Sequence, residues 1–386
     1  MTGAISIVFG LLVGASQTQT SIFDQVIKKP TGDNGYEEYC RACDLLPSPP
    51  PSSGKKEPAP APDPNVLESR RARVSKLYPV FDLVASGNRK KVFDPRSSID
   101  FNTTYPEMAK FKEIGRLFAD RIYVQFADGN GSGACSSFIE SIKFSGNIAD
   151  KTLISVLLRN AMRSTVEWEM LPHLGAISLA DAARIESFFE SQLKSQPKII
   201  AAVQSEWDLI TSLLPKLLEK PDDFMILTAA QKDEFKAMDD SARQKLASEL
   251  RQPLNSYYGG LITMLKSQES DWRFPELPRL SGTAQVVLES LTPAFDQVVA
   301  REVQDRTRMR LWRLAMRIQQ FRWIRNRLPK DLAELEAPEL IHDPTNGGEF
   351  VYKAFEMQFE ISSRGSSMTG PIKMGRVIPP SGDSGL

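Results

Sequence analysis

Residues 301–330 have the sequence REVQDRTRMRLWRLAMRIQQFRWIRNRLPK, and this stretch sets the architecture of the chain. It contains ten basic residues against two acidic ones, and its apolar side chains recur at helical spacing. We predict one long helix over 282–328 that ends at a Leu-Pro step. Its apolar stripe is formed by Leu311, Leu314, Ala315, Ile318 and Phe321.

The pattern changes after this helix. A short helix is predicted over 328–335, because a proline near its start is tolerated there. Alternating apolar residues then predict two strands joined at 353–356, and a third strand over 372–378. The tail is therefore predicted to be a small α+β module.

The tail combines a set of residues that is more specific together than singly: Leu328-Pro329, Leu332, Leu335, Asp343-Pro344, Gly347, Phe350, Tyr352, Phe359, Ile361, Ser363 and Gly365. With 312–328 as its helix, this pattern resembles the globular module of the major pseudopilins of type II secretion. A similar module occurs in uncharacterised exported proteins of planctomycete-like and armatimonad-like bacteria. The resemblance implies a borrowed structural module and not a pilus subunit, because the long apolar N-terminal helix of pseudopilins has no counterpart here.

Upstream of the long helix the pattern is overwhelmingly helical from residue 65. The breaks carry Pro or Gly, and the absence of a strict repeat period argues against a solenoid. Ser178 is a predicted N-cap for a helix over 179–195. The predicted fold class is mainly α: an irregular multi-helix bundle with a small C-terminal α+β module, made of a helix plus an antiparallel hairpin.

The chain starts with an apolar run over 4–13, followed by small residues up to Ala15. This run has the length of a signal-peptide core, whereas a bilayer span needs about 20 apolar residues. We expect a signal peptide over 1–15, cleavage near Ala15 and an extracytoplasmic location, periplasmic or secreted. The alternative is a buried N-terminal helix or strand. No later stretch has the composition of a transmembrane helix.

Composition shifts suggest the domain boundaries. A helical arm is expected over 16–46, and eight prolines over 47–64 predict an extended linker that separates the arm from the main body. A helical domain over 65–305 and the long helix plus pseudopilin-like module over 306–378 follow. The last residues, 379–386, are expected to be a disordered tail.

Composition and charge exclude several classes of protein. The chain has 386 residues with 48 Lys and Arg against 48 Asp and Glu, so its formal net charge is zero. That balance excludes a globally basic nucleic-acid binder and an acidic solvating chain. A hydrophobic content of 41% excludes global disorder. Two His and three Cys leave few ligands for a multinuclear metal centre, and no cofactor is indicated.

Two weak candidates for a metal site are Glu169 and His173. Their i, i+4 spacing places both side chains on one helix face, as metal ligands require. Pro172 disturbs that turn, however, and no third ligand is evident. A helix-end histidine beside a surface carboxylate is the favoured interpretation.

The cysteines are the other reactive side chains. Cys135 follows a Gly-rich loop over 129–133, so it is a candidate nucleophile with His173 or His342 as the base. Cys40 and Cys43 are at i, i+3, a spacing that suits either a local disulfide or packing as small apolar residues, and we favour packing. A pocket that held two or more of Glu167, Glu169, His173 and Cys135 would indicate an enzyme.

The long helix also carries a candidate interaction face: Arg306, Arg310, Arg313 and Arg317 flank its apolar stripe. Such a face could meet another envelope protein or an anionic envelope surface, and nucleic acid is not favoured. The alternative, favoured by the zero net charge, is that acidic residues on neighbouring helices pair with these arginines.

Together these features predict an exported bacterial protein with a non-catalytic role in interaction or structural support at the envelope. Two alternatives stay open. The first is an extracytoplasmic hydrolase whose site lies between helices, and the second is a cytoplasmic helical scaffold.

Overall fold

The computed structural model describes residues 21–47, 65–96, 103–149, 151–195, 199–219, 228–292, 295–355, 358–366 and 368–377. The predicted signal peptide over 1–15 and the predicted tail over 379–386 lie outside these residues, as does the linker from residue 48 onwards. Within the described ranges, no helix combines the length and the apolar character needed to cross a bilayer.

The described chain is mainly α-helical with small antiparallel sheets near its C-terminal end, which confirms the predicted fold class. The helices are α1 (Ile22–Val26), α2 (Gly35–Asp44), α3 (Val66–Lys76), α4 (Tyr78–Asn88), α5 (Pro106–Ala127), α6 (Gly131–Ile148), α7 (Leu153–Met170), α8 (Leu179–Lys194), α9 (Ile199–Glu219), α10 (Ala229–Ala237), α11 (Asp240–Lys266), α12 (Gly282–Leu291), α13 (Phe295–Arg325) and α14 (Pro338–Ile341). The strands are β1 (His342–Asp343), β2 (Gly348–Glu349), β3 (Val351–Phe355), β4 (Gln358–Ser363) and β5 (Ile372–Val377). The predicted N-cap of α8 is confirmed, since the Ser178 hydroxyl accepts the backbone N–H of Asp181 at 3.1 Å.

The arm helix α2 lies inside the helical core. Its aromatic side chains and both cysteines are buried, and it packs against α4 and α5. The backbones of α2 and α4 are so close that a Cβ on Gly35 would overlap the carbonyl oxygen of Gly87. In contrast to the expectation from the linker, the arm is part of the main body in space.

Polar contacts hold α2 in this position. The side-chain amide of Asn34, the N-cap of α2, donates to the carbonyl of Phe93 at 2.9 Å and accepts its N–H at 3.2 Å. The buried Tyr36 hydroxyl donates to Glu107 at 2.9 Å, and Arg96 donates to the same carboxylate oxygen at 2.6 Å. Because buried polar groups need partners, these bonds define one orientation of the arm.

The buried apolar side chains form two cores. The first core contains α1, α2, α4 to α6, α8, the C-terminal halves of α7 and α13, and the C-terminal module. The second core contains α9 to α12 together with the N-terminal ends of α7 and α13. The predicted boundary at residue 305 therefore falls inside α13, and the second core lies in sequence between the two parts of the first.

Helix α13 is the central element. The predicted helix over 282–328 is in fact two helices, α12 and α13, and α7, α8 and the C-terminal sheet pack around α13. From Glu302 to Arg322 no residue is exposed. Charged side chains on such a buried helix need partners, and five of those between Glu302 and Arg322 form ion pairs with neighbouring elements: Glu302, Asp305, Arg306, Arg310 and Arg313.

The C-terminal module is a three-stranded antiparallel sheet of order β3-β4-β5, which packs its β4 and β5 side chains on α13. The predicted hairpin and the predicted third strand are confirmed, but β3 continues to Phe355, so residues 353–355 of the predicted connection belong to the strand. Phe359 and Ile361 point into the core from β4. The predicted short helix over 328–335 is only a 3₁₀ turn, Leu332–Leu335, and a short β1-β2 ribbon precedes the sheet.

Hydrogen bonds of the Asp-Pro turn stabilise the C-terminal module. Asp343 is completely buried, and its Oδ1 accepts the backbone N–H of Thr345 at 3.0 Å. Its Oδ2 accepts the Ser363 hydroxyl at 2.6 Å and the Asn346 side-chain amide at 2.7 Å. The carboxylate therefore ties the turn to the end of β4 as well as to its own backbone.

Candidate ligand cavity

Cys135 is a core residue and not a nucleophile at a flexible loop. Helix α6 already begins at Gly131, where the Asn130 side chain caps it by accepting the N–H of Gly133 at 2.9 Å. The thiol is fully buried, and burial, followed by the charge of Asp181, raises its pKa to about 12. Since only the thiolate is nucleophilic, both the loop prediction and the nucleophile candidate are wrong.

Glu169 and His173 are both taken into packing. Glu169 forms an ion pair with Arg70 at 3.0 Å. His173 lies in a 3₁₀ turn, its ring stacks on Phe126 at 4.1 Å between centroids, and burial lowers its pKa. Across the described ranges no three His, Cys, Asp or Glu side chains are grouped as metal ligands. The interpretation of this pair as a helix-end histidine and a separate carboxylate fits the structure better than a metal site.

The cysteines of α2 are free thiols in the core. Burial raises the pKa of both Cys40 and Cys43. They pack as small apolar residues, which is the interpretation favoured from the sequence.

A buried ionic cluster joins α7 to α13 at the junction of the two cores. Arg159 pairs with Glu302, and Arg163 pairs with Asp305 at 2.5 Å. All four side chains are almost completely buried, so two positive and two negative charges balance each other away from water.

Glu167 adds a fifth ionisable group to this cluster. Its Oε1 has no hydrogen-bond partner, and burial together with the charge of Asp305 raises its pKa to about 8. Arg308 and Arg163 lower this pKa but do not offset the burial. Glu167 is therefore largely protonated at neutral pH, chiefly because its carboxyl is buried.

The candidate interaction face on α13 is not an exposed basic surface. Arg306 and Arg310 both bind Glu269, and Arg313 lies 3.8 Å from Glu190. The side chains of these three arginines are only 11%, 16% and 15% exposed. For them the structure shows the alternative, in which acidic residues of neighbouring elements pair with the arginines. Arg317 is partly buried at a small cavity beside the 3₁₀ turn Leu332–Leu335.

Arg306 and Arg310 line a cavity of about 330 Å³. The end of α11 and the 3₁₀ turn Glu269–Asp271 that follows it also line this cavity. Ile200 of α9, and His342 and Pro344 of the β1 turn, contribute to its lining as well. The cavity thus lies where the second core, α13 and the C-terminal module meet.

Glu269 organises the charges in this cavity. Its Oε1 accepts N–H groups from Arg306 at 2.7 Å and from Arg310 at 2.8 Å, and its Oε2 accepts the other fork of Arg310 at 2.7 Å. Burial alone would raise the pKa of Glu269, but the two arginines lower it below its ordinary value. The carboxylate therefore stays ionised and holds both guanidinium groups in fixed positions.

Two further cavities lie elsewhere in the described part of the chain. One, of about 350 Å³, lies between Phe274 and the start of α13, and the other, of about 150 Å³, contains Arg317. None of the three cavities described is lined by Glu167, Glu169, His173 or Cys135. The arrangement that would indicate an enzyme is thus not formed by these cavities.

Sequence reasoning did not find Glu269, Lys266 or Trp272. The i, i+4 spacing of Arg306 and Arg310 indicates that one carboxylate can serve both. It does not indicate which of the many acidic residues comes close, because Glu269 is 37 residues from Arg306 in the chain. Only the tertiary fold, which places the 3₁₀ turn after α11 beside α13, brings them together.

No family model, no curated protein and no solved structure matches this chain. Its function has to be inferred from its own residues.

Proposed function

We propose that the protein is an exported, non-catalytic component of a bacterial envelope that acts through contacts with other molecules. The observation that carries the proposal is a group of exposed apolar side chains near the end of α13, called the patch: the neighbours Trp323 and Ile324, with Leu179 at the start of α8. Trp323 and Ile324 are 50% and 66% exposed. Exposed apolar side chains that occur together commonly mark interaction sites, whereas single ones need no explanation.

The patch is held by the rigid part of the molecule. The indole N–H of Trp323 donates to the carbonyl of Ile177 at 2.8 Å, which fixes the ring beside the start of α8. Leu179, the first residue of α8, is exposed next to this contact. Because the indole is already oriented, little conformational entropy is lost when a partner covers it.

The export part of the proposal is supported by the apolar run before Ala15 and by the resemblance of the tail to a module of exported proteins. The side chains that would have favoured a hydrolase are packed or paired, as described for Cys135, Glu169 and His173. No observation favours the hydrolase over a binding role.

Compartment fractionation of the native host, with N-terminal sequencing of the mature chain, tests the export proposal. A chain that begins near Ser16 outside the cytoplasm is the expected result. A chain that keeps Met1 or Thr2 and stays in the cytoplasm would contradict it and favour the helical scaffold.

The patch is tested separately by crosslinking in the isolated envelope fraction. Ile324→Glu is expected to remove the crosslinked species, because a charge in the patch cannot be desolvated without a large cost. Val66→Glu, which changes another exposed aliphatic side chain on α3, is the matched control and should leave the crosslinks unchanged. Equal crosslinking of both variants would contradict a role for the patch.

A further inference from the structure

We infer that the cavity between α11, α13 and the β1 turn binds a small organic anion, in which a carboxylate or phosphate group is attached to an apolar body. This inference goes beyond the proposed function and holds whether or not the protein is exported.

The charge of the cavity favours an anion. Arg306, Arg310 and Lys266 line it with three positive charges, and Glu269 is the acidic residue among the lining side chains. Lys266 is exposed at the rim and has no acidic partner within the described ranges. One carboxylate cannot neutralise three cations, so the lining keeps a positive excess that a ligand anion would balance.

Donor groups are also available for that ligand. Arg310 uses two of its five N–H groups on Glu269. Arg306 gives one N–H to Glu269, and its other two bonds are long, at 3.3 Å to the carbonyl of Leu193 and 3.5 Å to that of Ser195. Glu269 thus orients both guanidinium groups. Their remaining N–H groups can donate to a planar or tetrahedral anion.

The apolar part of the lining selects against a bare inorganic ion. It includes Ile200, Leu265 and Trp272, and the Trp272 ring is fixed by its N–H bond to the carbonyl of Ser267 at 3.2 Å. The volume of about 330 Å³ is at the lower end of the range of ligand pockets, about 300–1,000 Å³. Together these features fit a small molecule with one charged end and one apolar end.

The competing explanation is that the two arginines only clamp the 3₁₀ turn to α13. A clamp accounts for Glu269, but it does not account for Lys266, which forms no ion pair within the described ranges, or for the apolar residues in the same lining. The two explanations differ in one measurable way, since a clamp alone binds no ligand.

Isothermal titration calorimetry of the full chain at low ionic strength tests the inference with four probes. Phenyl phosphate and benzoate carry the anion on a ring, inorganic phosphate carries the anion alone, and benzyl alcohol carries the ring alone. We expect the two organic anions to bind, with inorganic phosphate at least about tenfold weaker and benzyl alcohol without a detectable signal, because both halves of the site contribute.

Lys266→Ala is the main variant, because this exposed side chain can be removed without disturbing the fold. It should weaken the binding of phenyl phosphate at least about threefold, as expected for the loss of one charge near an anion. Lys245→Ala, an exposed lysine on the same helix outside the cavity, is the matched control and should have no effect. Arg310→Gln should weaken binding about tenfold or more in protein whose helical circular dichroism is unchanged.

Three results would overturn the inference. The first is no heat signal from either organic anion at about 10 mM, a concentration that detects even weak binding. The second is that Lys266→Ala and Lys245→Ala bind phenyl phosphate with equal affinity. The third is equal affinity for inorganic phosphate and phenyl phosphate, which would remove the apolar part of the site.

Discussion

Replacing Glu167 by Gln should stabilise the protein at neutral and alkaline pH. The carboxyl is buried beside a cluster in which Arg159 and Arg163 are already balanced by Glu302 and Asp305. Its pKa is about 8 in the folded chain, against an ordinary value of 4.5. The folded state therefore holds the proton more tightly than the unfolded state. Its contribution to stability is complete below pH 4.5 and is lost as the pH rises through 8.

The size of the effect follows from these two values. Each pH unit between them costs about 1.4 kcal/mol of stability, because the folded chain must bind a proton that the unfolded chain has released. Relative to low pH, Glu167 therefore lowers stability by about 3 kcal/mol at pH 7 and by about 5 kcal/mol at pH 9, where it is ionised in both states. At pH 5 the cost is about 1 kcal/mol or less. Glutamine has the volume of glutamate without its charge, so Glu167→Gln should remove most of this penalty and leave the packing of α7 intact.

Urea unfolding followed by circular dichroism at pH 5, 7 and 9 measures the difference between the variant and the wild-type chain. Glu249→Gln removes a carboxylate from an exposed position on α11 and should change stability by less than about 0.5 kcal/mol. A stability gain for Glu167→Gln that grows with pH is the expected result. A gain that is the same at all three pH values, or a loss of stability at pH 9, would refute the reasoning.

Three further predictions concern packing and reactivity. Asp305→Asn should lower the free energy of unfolding in urea by about 3–5 kcal/mol, because Arg163 then has no ionised partner in a buried site. Gly87→Ala should cost about 1–3 kcal/mol in the same assay, since a Cβ there overlaps an aromatic ring of α2. Gly259→Ala, at an open helical position, should instead be neutral or stabilising by up to about 1 kcal/mol. The three cysteines should react with a thiol reagent only after unfolding, and rapid labelling of the native chain would contradict their burial.

Local sequence signals predict local structure well here. The Ser178 cap and the hairpin of β3 and β4 depend on residues that are close together in the chain, and both are found. The Gly-rich stretch before Cys135 misled the prediction, because Asn130 caps a helix that starts inside it.

Long-range packing determines the contacts that the sequence did not predict. The zero net charge favours pairing of the α13 arginines with acidic residues, as found for Arg306, Arg310 and Arg313. Their partners come from distant parts of the chain, which the sequence does not identify. The same holds for the cavity, whose acidic residue, rim lysine and apolar residues come from α9, α11 and the turn after α11. The spacing of residues within one helix does not reveal which other helix will pack against it.

The second core lies in sequence between the two parts of the first core, so the first core can be completed only late in synthesis. A chain that leaves the ribosome from its N-terminus delivers all of the second core, up to Val303, before the half of α13 and the strands that complete the first core. Buried positions of α7 and α8 that pack on those last elements, and Phe138 of α6, whose ring contacts Trp312, therefore stay open to solvent until translation is nearly finished. Early apolar segments of this chain need protection from aggregation during that interval, whatever the compartment in which folding is completed.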